Sequence, residues 1–228
     1  MRCEPLSGRA ILDISDQPYT LAFVDDDPAE INDFEALYAS PGFEIVGVHA
    51  PSVLEAPGAI QRALGGRTPD LFVLDMFLPA SPDSPISLTR QSALIAQDAI
   101  DQAVLETSAL TDHLEDGKAL LRNTQAVISL LESTLRKWCS ELGQSPANGV
   151  QLLTILNESF PSVPKLFYSR KATVEDVKLG IGAGAHDVIR KPPPRQAAAL
   201  APAILREFET ACRKNRRDDT PPKSGGAE

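Results

Sequence analysis

The chain has 228 residues, 43% of them hydrophobic, and a formal net charge of −9. That supports a packed core in one large domain, or in one domain with an appendage. The acidic balance argues against a nucleic-acid surface, which needs clustered Lys and Arg. Cys3, Cys139 and Cys212 are too few and too far apart for a disulfide framework or a metal cluster. No apolar run approaches the roughly 18 residues of a membrane span, and the N-terminus lacks the apolar core of a signal peptide. We therefore expect a cytoplasmic protein without membrane insertion.

Residues 1–18 mix Gly, Pro and charge and read as a flexible extension. Residues 19–24 form a buried-type strand that stops at Asp25-Asp26-Asp27-Pro28. Pro28 suits the first turn of a helix, and the aspartates suit its positive end. Residues 29–39 follow as that helix, with Ile31, Phe34, Leu37 and Tyr38 on one face. A strand over 43–49 and a helix over 52–64, weakened by Pro57-Gly58, come next. Then Leu71-Phe72-Val73-Leu74 meets Asp75. A continuous apolar run of this kind is a strand buried on both faces, as in a parallel sheet.

After a long interruption the alternation resumes. A helix is predicted over 149–159, a strand over 165–168 ending at Ser169, and a helix over 173–181 closed by Gly182 and Gly184. A short strand over 186–190 runs into Lys191, and a last helix lies within 195–214. The polar, Pro/Gly-rich residues 215–228 read as a disordered tail. Strand–helix alternation predicts a parallel sheet with right-handed crossovers.

In such a sheet Asp25, Asp26, Asp75, Ser169 and Lys191 all stand at one edge, the edge where ligands bind. Carboxylates about 4 Å apart repel by on the order of 4 kcal/mol at an effective dielectric near 20. A hard divalent cation relieves that, and Mg²⁺ prefers carboxylates and phosphate oxygens. A carboxylate beside Mg²⁺ can attack phosphorus. Lys191 can neutralise the transferred group, and Ser169 can hydrogen-bond it.

These residues resemble a known family, the CheY-like receiver domains of two-component response regulators. The matching pieces are Val24-Asp25-Asp26-Asp27-Pro28, Leu74-Asp75-Met76, Ser169, Gly182-Ala183-Gly184-Ala185 and Lys191-Pro192. The resemblance covers about residues 19–79 and 149–212. It implies a flavodoxin-like, doubly wound five-stranded parallel sheet. It makes Asp75 the phosphoacceptor, and gives Mg²⁺ to Asp25, Asp26, Asp75 and the backbone carbonyl of Phe77. Ser169 becomes the switch hydroxyl, and Lys191 the phosphate-binding lysine before a cis proline. The implied donor is a sensor histidine kinase or a phosphotransfer protein. Signalling would run through protein contacts, because too few residues follow the receiver for a DNA-binding output domain. The protein would be a phosphoacceptor catalysing its own phosphorylation and dephosphorylation, not a turnover enzyme. Two departures stand out. Val188 occupies the fifth-strand position where the family carries Tyr or Phe, and residues 80–148 interrupt the receiver.

The interruption carries two heptad seams. The first runs Ala93, Ala96, Ile100, Ala103, Thr107, Leu110, Leu114; the second Leu121, Thr124, Ile128, Leu131, Leu135, Trp138, Leu142. They predict an antiparallel hairpin of two arms meeting near Asp116-Gly117. Its short lead-in limits its access to the receiver. Apolar residues outside the seams, Leu105 and Val127 among them, point to a homodimer through the 84–143 hairpin. Two other classes are weighed. Asp25-Asp26-Asp27 superficially supplies the aspartate pair of a haloacid-dehalogenase-type phosphatase, although Pro28 and Ala29 fit that motif badly. A constitutive scaffold would leave the phosphosite unused.

Overall fold

The computed structural model describes residues 17–82, 115–192 and 194–218. Five strands form the sheet: β1 (Tyr19–Asp25), β2 (Phe43–His49), β3 (Leu71–Leu74), β4 (Lys165–Ser169) and β5 (Asp187–Arg190). All pairs are parallel, in the order β2-β1-β3-β4-β5. This is the flavodoxin-like doubly wound order, whose ligand crevice lies at the carboxyl ends of the strands.

Alternation along the strands divides the core in two. Leu21, Phe23, Leu71, Val73, Leu166 and Tyr168 face α1 (Pro28–Tyr38) and α6 (Pro194–Asp218), with Phe34, Tyr38 and Phe208 as the aromatic filling. Ala22, Val24, Phe72, Leu74 and Phe167 face α2 (Ala56–Leu64) and α4 (Pro146–Ser159), through Ile60, Leu64, Leu152, Leu153 and Leu156. On that side α5 (Val174–Gly182) lies so close to the sheet that a Cβ on Gly180 would stand 3.0 Å from the Phe167 ring.

Several boundaries differ from the sequence reading, each for a local reason. Helix α2 begins at Ala56, not residue 52, so Pro57 sits in its first turn, where a missing N–H costs nothing. Helix α4 begins at Pro146, three residues ahead of the predicted start at 149. Ser145 caps it, its side chain accepting from the Ala147 N–H, and Pro146 opens its first turn. Helix α6 continues to Asp218, so residues 215–218 are helical rather than part of a disordered tail. Within that helix Arg213 pairs with Glu209 one turn earlier, at 2.7 Å.

Of the hairpin, the second arm is described as α3 (Glu115–Glu141), a 27-residue helix that passes through Gly117. The first arm lies outside the described residues, as do 1–16 and 219–228. The end of α3 reaches the receiver, contrary to the limited access expected. Cys139 is buried in the α2/α4 core, and Arg136 donates to Thr173 Oγ1 at 2.8 Å and lies 3.4 Å from Asp176 Oδ2. The chain then turns at Gly143. Pro79 and Gln144 form an antiparallel bridge, and the Ala80 N–H donates to Gly143 O at 3.0 Å. Asn148 Nδ2 pins the junction, donating to Leu78 O and Gly143 O at 2.8 and 3.1 Å. Gly149 follows because the backbone is jammed there: a Cβ would stand 2.5 Å from Met76 O. None of the described helices is long and apolar enough to cross a membrane.

Candidate functional site

Register places the site. Val24 pairs with Leu74, so Asp25 and Asp75 leave adjacent strands side by side, and the Asp75 N–H donates to Val24 O at 2.9 Å. Ser169 pairs with Arg190, one residue before Lys191, whose N–H donates to Ser169 O at 3.2 Å. Asp25, Asp75, Ser169 and Lys191 are all buried.

Lys191 is the hub. Its Nζ donates to Asp25 Oδ2 at 2.7 Å and lies 3.6 Å from Asp75 Oδ1 and 3.5 Å from Glu30 Oε2. The rings of Phe23 and Tyr168 flank it at 5.5 and 5.7 Å. The remaining carboxylate oxygens are tied to the backbone: Asp25 Oδ1 accepts the Asp27 N–H at 3.0 Å, and Asp75 Oδ2 the Phe77 N–H at 3.1 Å. The Lys191–Pro192 peptide is trans, as is every described peptide bond, so the cis proline implied by the resemblance is not present.

Two buried carboxylates thus share one ammonium. Burial, then repulsion from Asp75, push the Asp25 carboxyl up to about 7 against the pull of Lys191. Burial works against the charge on Lys191, but Asp75, Asp25 and Glu30 together hold its pKa above the ordinary lysine value. Asp26 stands apart from this hub. Its Oδ2 accepts from Gln144 Nε2 at 3.1 Å, and burial followed by Asp75 raises its carboxyl, with Lys171 opposing. Ser169 Oγ turns into its own loop and accepts the Lys171 N–H at 3.4 Å.

The structure therefore joins Asp25, Asp75 and Lys191 directly and sets Asp26 and Ser169 one contact further out. The backbone at Phe77 lies in the buried run that follows Asp75. Among the described residues, no group of three or more His, Cys, Asp and Glu side chains is drawn together as a metal cluster. The donors nevertheless suit a hard cation. All are oxygens, and two of the buried carboxylates, Asp25 and Asp75, have a single ammonium, Lys191, between them. Sequence reasoning missed Glu30, Lys171 and Gln144. Glu30 could have been found: it lies in the first turn of α1, at the same sheet edge as Asp25. Gln144 carries no local signal, because its place depends on the chain closing at Pro79.

This fold and strand order are those of a response-regulator receiver domain. No family model matches the sequence, and no curated protein matches it. Solved structures do match. NtrX from Brucella abortus is 18% identical, covering 93% of this chain and 31% of its own, with a TM-score of 0.50. A CheY-like receiver domain protein from Methanospirillum hungatei JF-1 is 14% identical, covering 89% of this chain and 99% of its own, at 0.47. The receiver domain of Francisella response regulator 1452 is 11% identical, covering 86% and 98%, at 0.45.

Proposed function

We propose that the chain is a phosphorylatable response regulator that accepts a phosphoryl group on Asp75 and signals through protein contacts rather than DNA binding. The observation that carries this is the pair of buried carboxylates, Asp25 and Asp75, sharing Lys191 at the ligand edge of the sheet. An Asp75 oxygen attacks phosphorus, the bond to the donor's nitrogen or oxygen breaks, and the leaving group departs with the electron pair. Lys191 neutralises charge on the transferred group, and Ser169 turns its hydroxyl toward it. Mg²⁺, held by Asp25, Asp26, Asp75 and the Phe77 carbonyl, supplies further charge neutralisation when bound. The donor is a sensor histidine kinase or a phosphotransfer protein. Water later hydrolyses the acyl phosphate, so the protein catalyses its own reset.

The phosphatase reading has less support. Its second aspartate would be Asp27, but Asp27 Oδ1 accepts the Ala29 N–H at 2.8 Å as the cap of α1. The scaffold reading leaves unexplained why a buried ammonium and its carboxylates meet at this edge. With acetyl phosphate and Mg²⁺, one phosphoryl group per chain should be incorporated, with none in Asp75→Ala. Undiminished labelling of Asp75→Ala, or continuous turnover of phosphate esters, would overturn the proposal.

For the hairpin we propose a second copy of the chain as partner. Leu121 and Ile128 on α3 are 66% and 50% exposed, apolar surface that a four-helix arrangement would cover. Light scattering at tens of micromolar should give the dimer mass, and Leu121→Glu with Ile128→Glu the monomer mass. A monomeric wild-type chain, phosphorylated or not, rules the dimer out.

A further inference from the structure

The interruption re-enters the receiver beside the site, and the point of re-entry is fixed by backbone. The Pro79–Gln144 bridge and the Ala80–Gly143 hydrogen bond hold the strap. That leaves the Gln144 side chain, half-buried, directed at the acidic edge. Its amide is oriented at both ends. Nε2 donates to Asp26 Oδ2 at 3.1 Å, and Oε1 accepts from Lys171 Nζ at 2.5 Å. A carbonyl facing a cation and an NH₂ facing an anion is the only satisfying orientation of that amide.

The same segment is gripped a second time. Lys171 belongs to the β4–α5 loop, and Arg136 of α3 bonds Thr173 and Asp176 where that loop enters α5. Asp176 also accepts from the Thr173 N–H and hydroxyl at 2.9 and 2.8 Å, so the Arg136 anchor sits on a closed capping box. Strap and loop are thus held together by Arg136 at one end and Gln144 at the other. Asp26 lies at the Gln144 end.

We propose that Gln144 is a positioning residue that competes with a cation for Asp26 Oδ2, so that the interruption acts as a brake on Mg²⁺ binding. The inference rests on the receiver reading above. The hydrogen bond occupies a lone pair of Oδ2 and fixes the plane of the carboxylate on the strap. A cation that took Asp26 Oδ2 would have to share or displace the Gln144 bond. Whatever moves the α3 end of the strap therefore changes the affinity of the edge for the cation. No residue of the hub itself, Asp25, Asp75 or Lys191, has to be touched.

The test is direct Mg²⁺ titration by calorimetry on the full chain, with Gln144→Leu and Gln144→Ala beside wild type. Both substitutions keep the backbone bridge. Both should tighten Mg²⁺ by about three- to tenfold, the scale of one ordinary hydrogen bond. A merely structural role predicts looser packing and an unchanged or weaker affinity, and either result in both variants overturns the brake. Binding in the variants but not in wild type supports it strongly. Acetyl phosphate labelling of Asp75 is run in parallel. If Asp75 is labelled and the affinities are equal, only the brake falls. If no chain binds Mg²⁺ and none is labelled, brake and receiver reading fall together.

Discussion

Lys165 and Lys191 are both buried ammonium groups, at opposite ends of the strands, and their surroundings drive them in opposite directions. Lys191 faces Asp25, Asp75 and Glu30, and its pKa rises despite burial. Lys165 opens β4 with the Phe160 carbonyl as its one partner among the described residues, and burial lowers its pKa to about 8. Its folded value lies below its unfolded value, so the unfolded chain binds more protons between about pH 8 and 10.5. Stability should therefore rise with pH across that window, the cost being complete below pH 8. Lys165→Met should stabilise the protein by about 1–2 kcal/mol at pH 7, with the gain shrinking as pH rises toward 10. Phe160 O is not orphaned by this change, since the Val163 N–H also donates to it. Urea unfolding at pH 7 and pH 10 measures the difference, and an equal gain at both pH values would contradict it. The contrast also shows what a sequence discloses at this scale. Asp25, Asp75 and Lys191 were legible because strand ends in a parallel sheet must share an edge. That Lys165 meets a carbonyl and, among the described residues, no carboxylate was not, because nothing nearby in sequence sets its surroundings.

Elements were legible where their punctuation was local. The β1–α1 junction follows from Asp27-Pro28, and Thr173 with Asp176 marks the start of α5 as a capping box. Where the punctuation was double-edged, boundaries slipped. Pro57-Gly58 read as a weakness inside a helix, yet Pro57 opens α2. The helix predicted from 149 starts earlier, because Ser145 caps it and Pro146 opens its first turn. The heptad seam of α3 is visible, and the expected meeting point of the arms near Asp116-Gly117 lies beside the first described residue of the helix, Glu115, with Gly117 inside its first turn. The docking of the last turns of α3 had no sequence signal of its own. Cys139 falls outside the heptad seam, and its burial comes from packing on the receiver. Val188, where the family has a ring, packs against the α2/α4 core opposite Phe167 and leaves Gly180 close beside it. A small residue there matches the tight approach of α5.

At the scale of the molecule, the order of strands and helices narrowed the architecture, because right-handed parallel crossovers leave few topologies open. It gave a parallel sheet and placed the interruption after β3, while the doubly wound flavodoxin-like order came from the family resemblance. What it could not give was the closure at Pro79 and Gln144, a contact between residues far apart in sequence. That closure has a kinetic meaning. Strand β3 cannot be followed by α4 in space until an excursion of about 60 residues has returned, and a flexible loop of that length costs about 2 kcal/mol more to close than one of about six. An excursion that has already formed helix behaves as a much shorter connection, so local order in α3 lowers the entropic part of the folding barrier. Gln125→Gly with Ser129→Gly, on the exposed surface of α3, should slow refolding by about two- to tenfold in stopped-flow measurements while changing the unfolding rate less. Equal refolding rates would mean that the excursion closes as disordered chain. If they differ, the speed at which the receiver assembles is set by a helix outside its own sheet.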